Sequence, residues 1–511
     1  MSKAATHTDL VNLFHEFCEF RPPKSCDGIP DYTAASMNEQ RAELKMYQQR
    51  LAAMDIRGWP VSEQVDYHIV RAEMNGLDFN HRVIRPWSRD PGFYCTTPRF
   101  EETMQGAVGI PGNLPLPTDQ LEAFQGAICK LPALLAQAKD NLTEVAADFA
   151  TMALRMKKRE RDAWCRFAEK AGAHHPELVQ DVSRVVETID DFSVWLQANQ
   201  ERFLPNAGVG EENWNWFMKN VHLFPYTWQE SQAIVQRELE RAELCMRLEE
   251  HHNRDLPELV PAQSTEEHLA LFDRGMERLM SFLESTQIFK DMEFLKPKRR
   301  PERFWPYDPA KMDFFQEVLC RDVLPLHTHD VCGHAHDARR YEGDLRPIRG
   351  ADRPYHIAGL RAEGLATGIE EILTHLGLVD DRPRARELTY VLVSFRAARA
   401  AAALKMQCNE LDFKGGLDYA ARFTARGYNR ADTFLLWDDL ELYLRQPGYG
   451  TGYLMGKVQL DKLIADYSRI KGADFSLQDC FTAFLGAGFI PISLIRWEIT
   501  GLTDEMERLL A

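Results

Sequence analysis

Apolar residues recur at steps of three and four along most of the chain, with polar residues between them, the spacing that turns one face of an α-helix toward a core. Leu10, Leu13, Phe14 and Phe17 set this stripe near the start, within a helical region predicted from Asp9 to Asn75. A second region is predicted from Pro117-Thr118-Asp119, where Thr118 or Asp119 offers a cap, through Leu121, Phe124, Ile128 and Leu131. Ser264 and Glu267 stand at capping-box spacing and predict another helix start. Strand-like alternation is scarce and there is no internal repeat. The pattern predicts a mainly α protein, a large helical array with at most a small β-sheet.

Two stretches rich in proline, the first also in glycine, interrupt it. One runs from about Arg85 to Pro115. The other, Lys296 to Pro309, holds four prolines with Phe304, Trp305 and Tyr307, and predicts a seam between a helical N-terminal half, 1–295, and a second half, 296–511. The two are expected to form one continuous structural unit.

Charge narrows the partners. The chain of 511 residues carries 77 acidic and 61 basic side chains, a formal net charge of -16, which argues against nucleic acid or an anionic membrane as a partner. Its ten cysteines include no Cys-x-x-Cys pair, as expected of reduced thiols in a cytoplasm. The first residues lack the apolar stretch of a secretory signal, and no charge-free run is long enough to span a bilayer. A cytoplasmic protein acting on a small molecule is expected, and assembly into a homo-oligomer is compatible with this composition.

Residues 327 to 336 read His-Thr-His-Asp-Val-Cys-Gly-His-Ala-His, four histidines in ten positions. Neutral imidazole offers a nitrogen lone pair near neutral pH, so one short segment can supply most of a coordination shell for a divalent metal. Downstream, Glu363 and Glu370 lie seven residues apart on one face of a predicted helix that also carries the small residues Ala366 and Thr367. A carboxylate from such a helix completes three protein ligands and leaves a fourth position open.

The order of the histidine segment, Glu363-Gly364-Leu365-Ala366, Phe395-Arg396-Ala397-Ala398-Arg399, Pro447-Gly448-Tyr449-Gly450-Thr451-Gly452-Tyr453-Leu454-Met455-Gly456-Lys457 and Phe475-Ser476-Leu477 resembles the bacterial zincin-like family called domain of unknown function 885. The resemblance is strongest from about Arg321 to Trp497. It implies a zincin-like architecture and a metal-dependent hydrolase related to metallopeptidases. Carried over, the family's Gly-His pair falls on Gly333 and His334, its leading His-acid pair on His329 and Asp330, and its downstream glutamates on Glu363 and Glu370. Here the histidine interval is one residue shorter than in the family, Asp330 replaces a glutamate and Cys332 a proline, and Ala403 and Gln407 stand where the family has an aspartate and a histidine.

The expected metal set is therefore His329, His334 and Glu363, with His327, His336 and Glu370 as alternatives and zinc as the metal. Asp330 is the expected general base, one methylene shorter than the usual glutamate. Tyr449 and Tyr453 are expected to donate to a developing oxyanion or move a proton, with Lys457 lowering the pKa of the Tyr453 phenol. Arg396, Arg399 and Arg445 are expected to hold a substrate carboxylate. The aromatic runs Arg85-Pro86-Trp87 with Phe93-Tyr94, and Trp214-Asn215-Trp216-Phe217, suggest walls for a ring. Together these predict hydrolysis of an amide, peptide or ester bond in a small, carboxylate-bearing substrate. The alternative is a metal-dependent lyase acting on a small acid, aromatic ones included, in catabolism.

Overall fold

A computed structural model describes residues 5–26, 28–98, 106–295 and 312–511. Among these the chain is mainly helical, and its one sheet is a two-residue antiparallel pair, Ser25–Cys26 with Ile29–Pro30. It divides into two compact units, one of residues 1–55 and 74–207, the other of 56–73 and 208–511. This partition falls at 207/208 and not at 296. The reason is packing: the long helix Trp228–His252 lies against Pro383–Gln407, which commits the chain from 208 onward to the second unit. The predicted seam at Lys296–Pro309 lies outside the described residues.

In the first unit the predicted stripe is present, with Leu10, Leu13, Phe14 and Phe17 buried on the helix His7–Phe20. The region from Asp9 to Asn75 is three helices, broken where Thr33 caps Ala34–Ala52 and again before Val61–Phe79, whose residues up to 73 belong to the second unit. At Pro117 the cap differs from expectation. Pro117 is itself the N-cap, Thr118 and Asp119 are already in the first turn, and no side chain caps the helix. Ile128, Leu134, Leu135, Val182, Val185 and Ile189 form the centre of this unit's core, with Trp87 and Phe93 packed on its edge. Each such side chain taken from water contributes roughly 1.5–3 kcal/mol.

The second unit carries the histidines. Ser264 caps Thr265–Thr286 by accepting from the Glu267 N–H at 3.2 Å, while the Glu267 carboxylate accepts from the Gln263 N–H at 2.7 Å, one residue upstream of the reciprocal bond expected. Three helices surround the site: a glutamate helix, Gly359–His375; an arginine helix, Pro383–Gln407; and a tyrosine helix, Tyr449–Lys471. The glutamate and tyrosine helices cross at Gly364 and Gly456, where a Cβ on Gly364 would strike the Gly456 backbone. The arginine helix is buried on almost every face, which is why no amphipathic stripe marks it. Ala403 and Gln407 are part of that burial. Ala403 packs against Gly450, where a Cβ would come 2.9 Å from the Ala403 Cβ. The Gln407 amide donates to the carbonyls of Tyr443 and Leu444 at 2.8 and 3.0 Å and accepts from the Val209 N–H at 3.3 Å.

Candidate metal centre

His329 and His334 are five residues apart, a spacing that an ordinary α-helix directs to different faces because its neighbours are three or four apart. Residues His329–Ala335 form a π-helical turn instead, between the helices Leu324–Thr328 and His336–Glu342. The wider turn repeats near five residues, and it brings the two imidazoles together with their Nε2 atoms 3.0 Å apart. The turn can lie this close to the glutamate helix because residue 333 is glycine, where a Cβ would come within 2.5 Å of the Ala366 Cα.

Glu363 closes the group. Its Oε2 lies 3.4 Å from His334 Nε2 and 3.7 Å from His329 Nε2. A metal with bonds of 2.0–2.2 Å in tetrahedral geometry separates its ligand atoms by about 3.3–3.6 Å, and the three edges observed bracket that range. Oε2 is buried and receives no hydrogen bond, which is costly for an anionic oxygen unless a cation meets it. Among the described residues His329, His334 and Glu363 are the group of three suited to hold a metal ion. The donor set fits a divalent cation.

The surrounding residues orient these three. Tyr449 donates to Glu363 Oε1 at 2.7 Å. Burial works to raise the Glu363 carboxyl, but His334 and the Tyr449 hydroxyl hold it down to about 2. Burial likewise opposes charge on His334, and the Glu363 carboxylate reverses this to a net upward shift. Burial, reinforced by Arg396, keeps His329 neutral well into the acid range. The His329 Nδ1 lies 2.8 Å from Glu370 Oε1 and 3.1 Å from Arg396 Nη2. A proton on Nδ1, donated to Glu370, leaves the Nε2 lone pair facing Glu363 and His334, the carboxylate–histidine support usual behind a ligating imidazole. Arg396 in turn grips Glu370 through two bonds of 2.8 and 2.5 Å. Burial works to raise the Glu370 carboxyl, and that guanidinium opposes the rise. Glu370 therefore serves His329 and does not reach the triad as a ligand.

The other expected residues fall in different places. Asp330, next to His329 on the π-turn, is half-buried; burial lifts its carboxyl to about 6, with His334 and Arg396 opposing. Tyr453 stacks on the His329 ring at a centroid distance of 6.5 Å, and its phenol is raised by burial and by Glu363, with Arg399 opposing. Lys457 does not support that phenol. Its ammonium meets Asp461 at 2.8 Å and Glu371 at 3.2 Å, in a network with Glu238 and Arg241. The three arginines are matched as well: Arg396 to Glu370, Arg399 to Asp439 and Arg445 to Glu441. Arg399 lies flat over Phe395 at 3.7 Å and beside Tyr453 at 5.1 Å. Its acidic partner Asp439 was not foreseen, and no spacing in the sequence signals it.

His327 and His336 are core residues. His327 packs edge-on against Phe272 at 4.5 Å, and His336 against Phe289 at 5.0 Å. Burial holds both down to about 4. Cys332 is fully buried, and burial pushes its thiol well up. Of the aromatic runs, Trp87 and Phe93 pack on the first unit's core and Trp214 is fully buried.

No family model and no curated protein matches the chain. Two solved structures share its fold over nearly their whole length. One, "a putative lipoprotein of unknown function" from Shewanella oneidensis, aligns at a TM-score of 0.70 and 15% identity, covering 96% of this chain and 99% of that one. The other, "the putative lipoprotein from Colwellia psychrerythraea", aligns at 0.66 and 12%, covering 98% and 99%. At these identities the likeness is one of fold. Among the described residues no helix is long and apolar enough to cross a membrane.

Proposed function

We propose that the chain is a metal-dependent hydrolase of amide, peptide or ester bonds in small molecules, a divergent relative of the zincin-like family called domain of unknown function 885. The observation that carries this reading is the buried Glu363 oxygen without a hydrogen bond, set 3.4 and 3.7 Å from two imidazole nitrogens. His329, His334 and Glu363 would hold the metal, with zinc best suited to two nitrogens and one oxygen at these separations. The bound ion would supply Lewis acidity, polarising a carbonyl and activating water.

The chain's own residues divide the rest of the work. Glu370 keeps the His329 proton on Nδ1, and Tyr449 fixes the rotamer of Glu363. Asp330, half-open and adjacent to His329, takes the proton from the attacking water and returns it to the leaving group. Tyr453, its phenol kept protonated by burial, donates a hydrogen bond to the oxyanion. Each arginine expected to hold a substrate carboxylate is already matched to an acid, so the reading carries no carboxylate requirement. None of the ten cysteines is bridged, and we place the activity in the cytoplasm on that basis.

Elemental analysis of protein prepared without chelators or immobilised nickel tests the metal. One equivalent is expected in the wild type and under a tenth of that in His329→Ala, His334→Ala and Glu363→Ala. Absence of stoichiometric metal from the wild type refutes the reading. Asp330→Asn, assayed on peptides, esters and aromatic acids, tests the chemistry: metal is retained and hydrolysis falls by about 10²–10⁴. Undiminished turnover in Asp330→Asn removes it as the base.

A further inference from the structure

Arg399 is 2% exposed, too deep to touch a substrate, yet it lies against Tyr453, a neighbour of the candidate ligand His329. Its guanidinium carbon sits 3.7 Å from the centre of the Phe395 ring, 5.1 Å from that of Tyr453 and 5.6 Å from that of Tyr443. All three fall within the roughly 6 Å over which a cation is drawn to a ring. Phe395 is on the arginine helix, Tyr453 on the tyrosine helix and Tyr443 on the helix Phe434–Arg445, so one buried cation joins three elements at this point. Its Nη1 donates to the Asp439 carboxylate, whereas Nε is buried with no acceptor. The Asp439 side chain is 18% exposed. The pair is therefore oriented, with its positive end inward among the rings and its negative end nearer solvent.

Tyr453 links this cation to the candidate ligands. It is partly exposed, lies nearly parallel to the His329 imidazole at 6.5 Å and meets Tyr449 edge-on at 6.0 Å. Tyr449 in turn donates to Glu363. A guanidinium can lie flat against a ring and draw electron density from it, which a compact ammonium on a flexible stem does less well. Density drawn from a phenol makes its O–H a stronger hydrogen-bond donor. In an interior of low dielectric a charge at this distance also acts with little screening.

We infer that Arg399 is a positioning residue: it fixes the Tyr453 ring and strengthens the hydrogen bond that the Tyr453 hydroxyl donates to the oxyanion. This role rests on the metal-dependent hydrolase reading, in which Tyr453 is that donor.

Kinetics of Arg399→Leu/Asp439→Leu, which removes the pair together and leaves no lone charge buried, test it on the p-nitroanilide or p-nitrophenyl ester that the wild type hydrolyses fastest. A fall in kcat of about 10²-fold is expected, as for a misplaced catalytic group, with KM and metal content changed less than about threefold. Arg399→Lys should recover part of that kcat. In a Tyr453→Phe background, itself lower in kcat by about 10²–10³, removing the pair should cost less than about threefold more, because both changes act through one hydroxyl. A merely structural pair gives losses that add. Arg399→Lys is carried through the same cycle, so the test stands even where the double variant does not fold. In the metal-free proteins, the near-ultraviolet circular dichroism difference between each chain and its Tyr453→Phe counterpart isolates the Tyr453 band, which should weaken when Arg399 is replaced. Full activity in Tyr453→Phe, additive losses, unaltered kcat in a folded Arg399 variant or an unaltered Tyr453 band overturns the role of Arg399 and leaves the hydrolase reading standing. A wild type without metal or without hydrolysis overturns both.

Discussion

Removing the Glu370 carboxylate should disable the expected metal ligand His329, although Glu370 itself is not one of the three candidate ligands. In Glu370→Leu the Nδ1–H of His329 loses its acceptor at 2.8 Å, while Arg396 Nη2 remains 3.1 Å from the same nitrogen. A guanidinium can only donate, so it selects the tautomer with its lone pair on Nδ1 and its proton on Nε2, the nitrogen that must bind metal. Loss of such a support typically costs 10–100-fold in metal affinity, about 1.4–2.7 kcal/mol. Arg396 is 2% exposed and paired to Glu370 through two bonds, so the substitution also strands a buried charge, at a cost of about 3–5 kcal/mol in stability. Taking Arg396 away as well should reverse part of both losses. The double variant Glu370→Leu/Arg396→Leu is expected to bind metal more tightly than Glu370→Leu alone and to unfold at higher urea. Competition with a chromophoric chelator measures the affinity, and urea titration of the metal-free proteins measures the stability. If the double variant binds no better than the single, tautomer control by this pair is wrong.

Three further outcomes follow from the same geometry. Tyr449→Phe deletes the 2.7 Å bond to Glu363 Oε1, a bond to a charged acceptor worth about 1.5–3 kcal/mol, and should weaken metal binding about tenfold with little change in fold by circular dichroism. Gly333→Ala places a methyl 2.5 Å from the Ala366 Cα; the π-turn must move, and a loss of about 1–3 kcal/mol in urea unfolding, together with loss of metal, is expected. In the metal-free protein the Glu363 carboxyl is held to about 2 and His334 is raised. The stability from this pair is present above the ordinary carboxyl value of 4.5 and is lost as the pH falls from there toward 2. It is also lost as the pH climbs through the raised His334 value. The urea midpoint of the wild type minus that of Glu363→Gln should therefore peak near pH 5–6 and shrink on both sides.

Helix positions were legible because burial follows a period the sequence displays, as at Leu10, Leu13, Phe14 and Phe17. The division into units was less so. It depends on Trp228–His252 choosing Pro383–Gln407 as its partner across more than 130 residues, and helical periodicity records only that a helix has an apolar face. The arginine helix shows the limit from the other side. Buried nearly all round, it carries no stripe, and Ala403 and Gln407 are contacts of that packing.

At the candidate metal centre the residue types pointed to a triad, but spacing alone could not choose among four histidines. The choice is made by a π-turn, a backbone feature with no sequence period of its own, which carries His329 and His334 inward while His327 and His336 enter the core beside Phe272 and Phe289. The charged residues failed for a different reason. A sequence lists cations without their counter-ions, and those of Arg396 and Arg399 come from other helices. Two assignments were open to local correction: Glu441 stands four residues before Arg445 and Asp461 four after Lys457, the spacing of intrahelical ion pairs, and both pairs form. The same accounting of charges, applied to each buried arginine of the second unit, separates structure from function here. Where a carboxylate faces the guanidinium, as at Arg396 and Arg399, the residue supports its neighbours and is not free to hold a substrate.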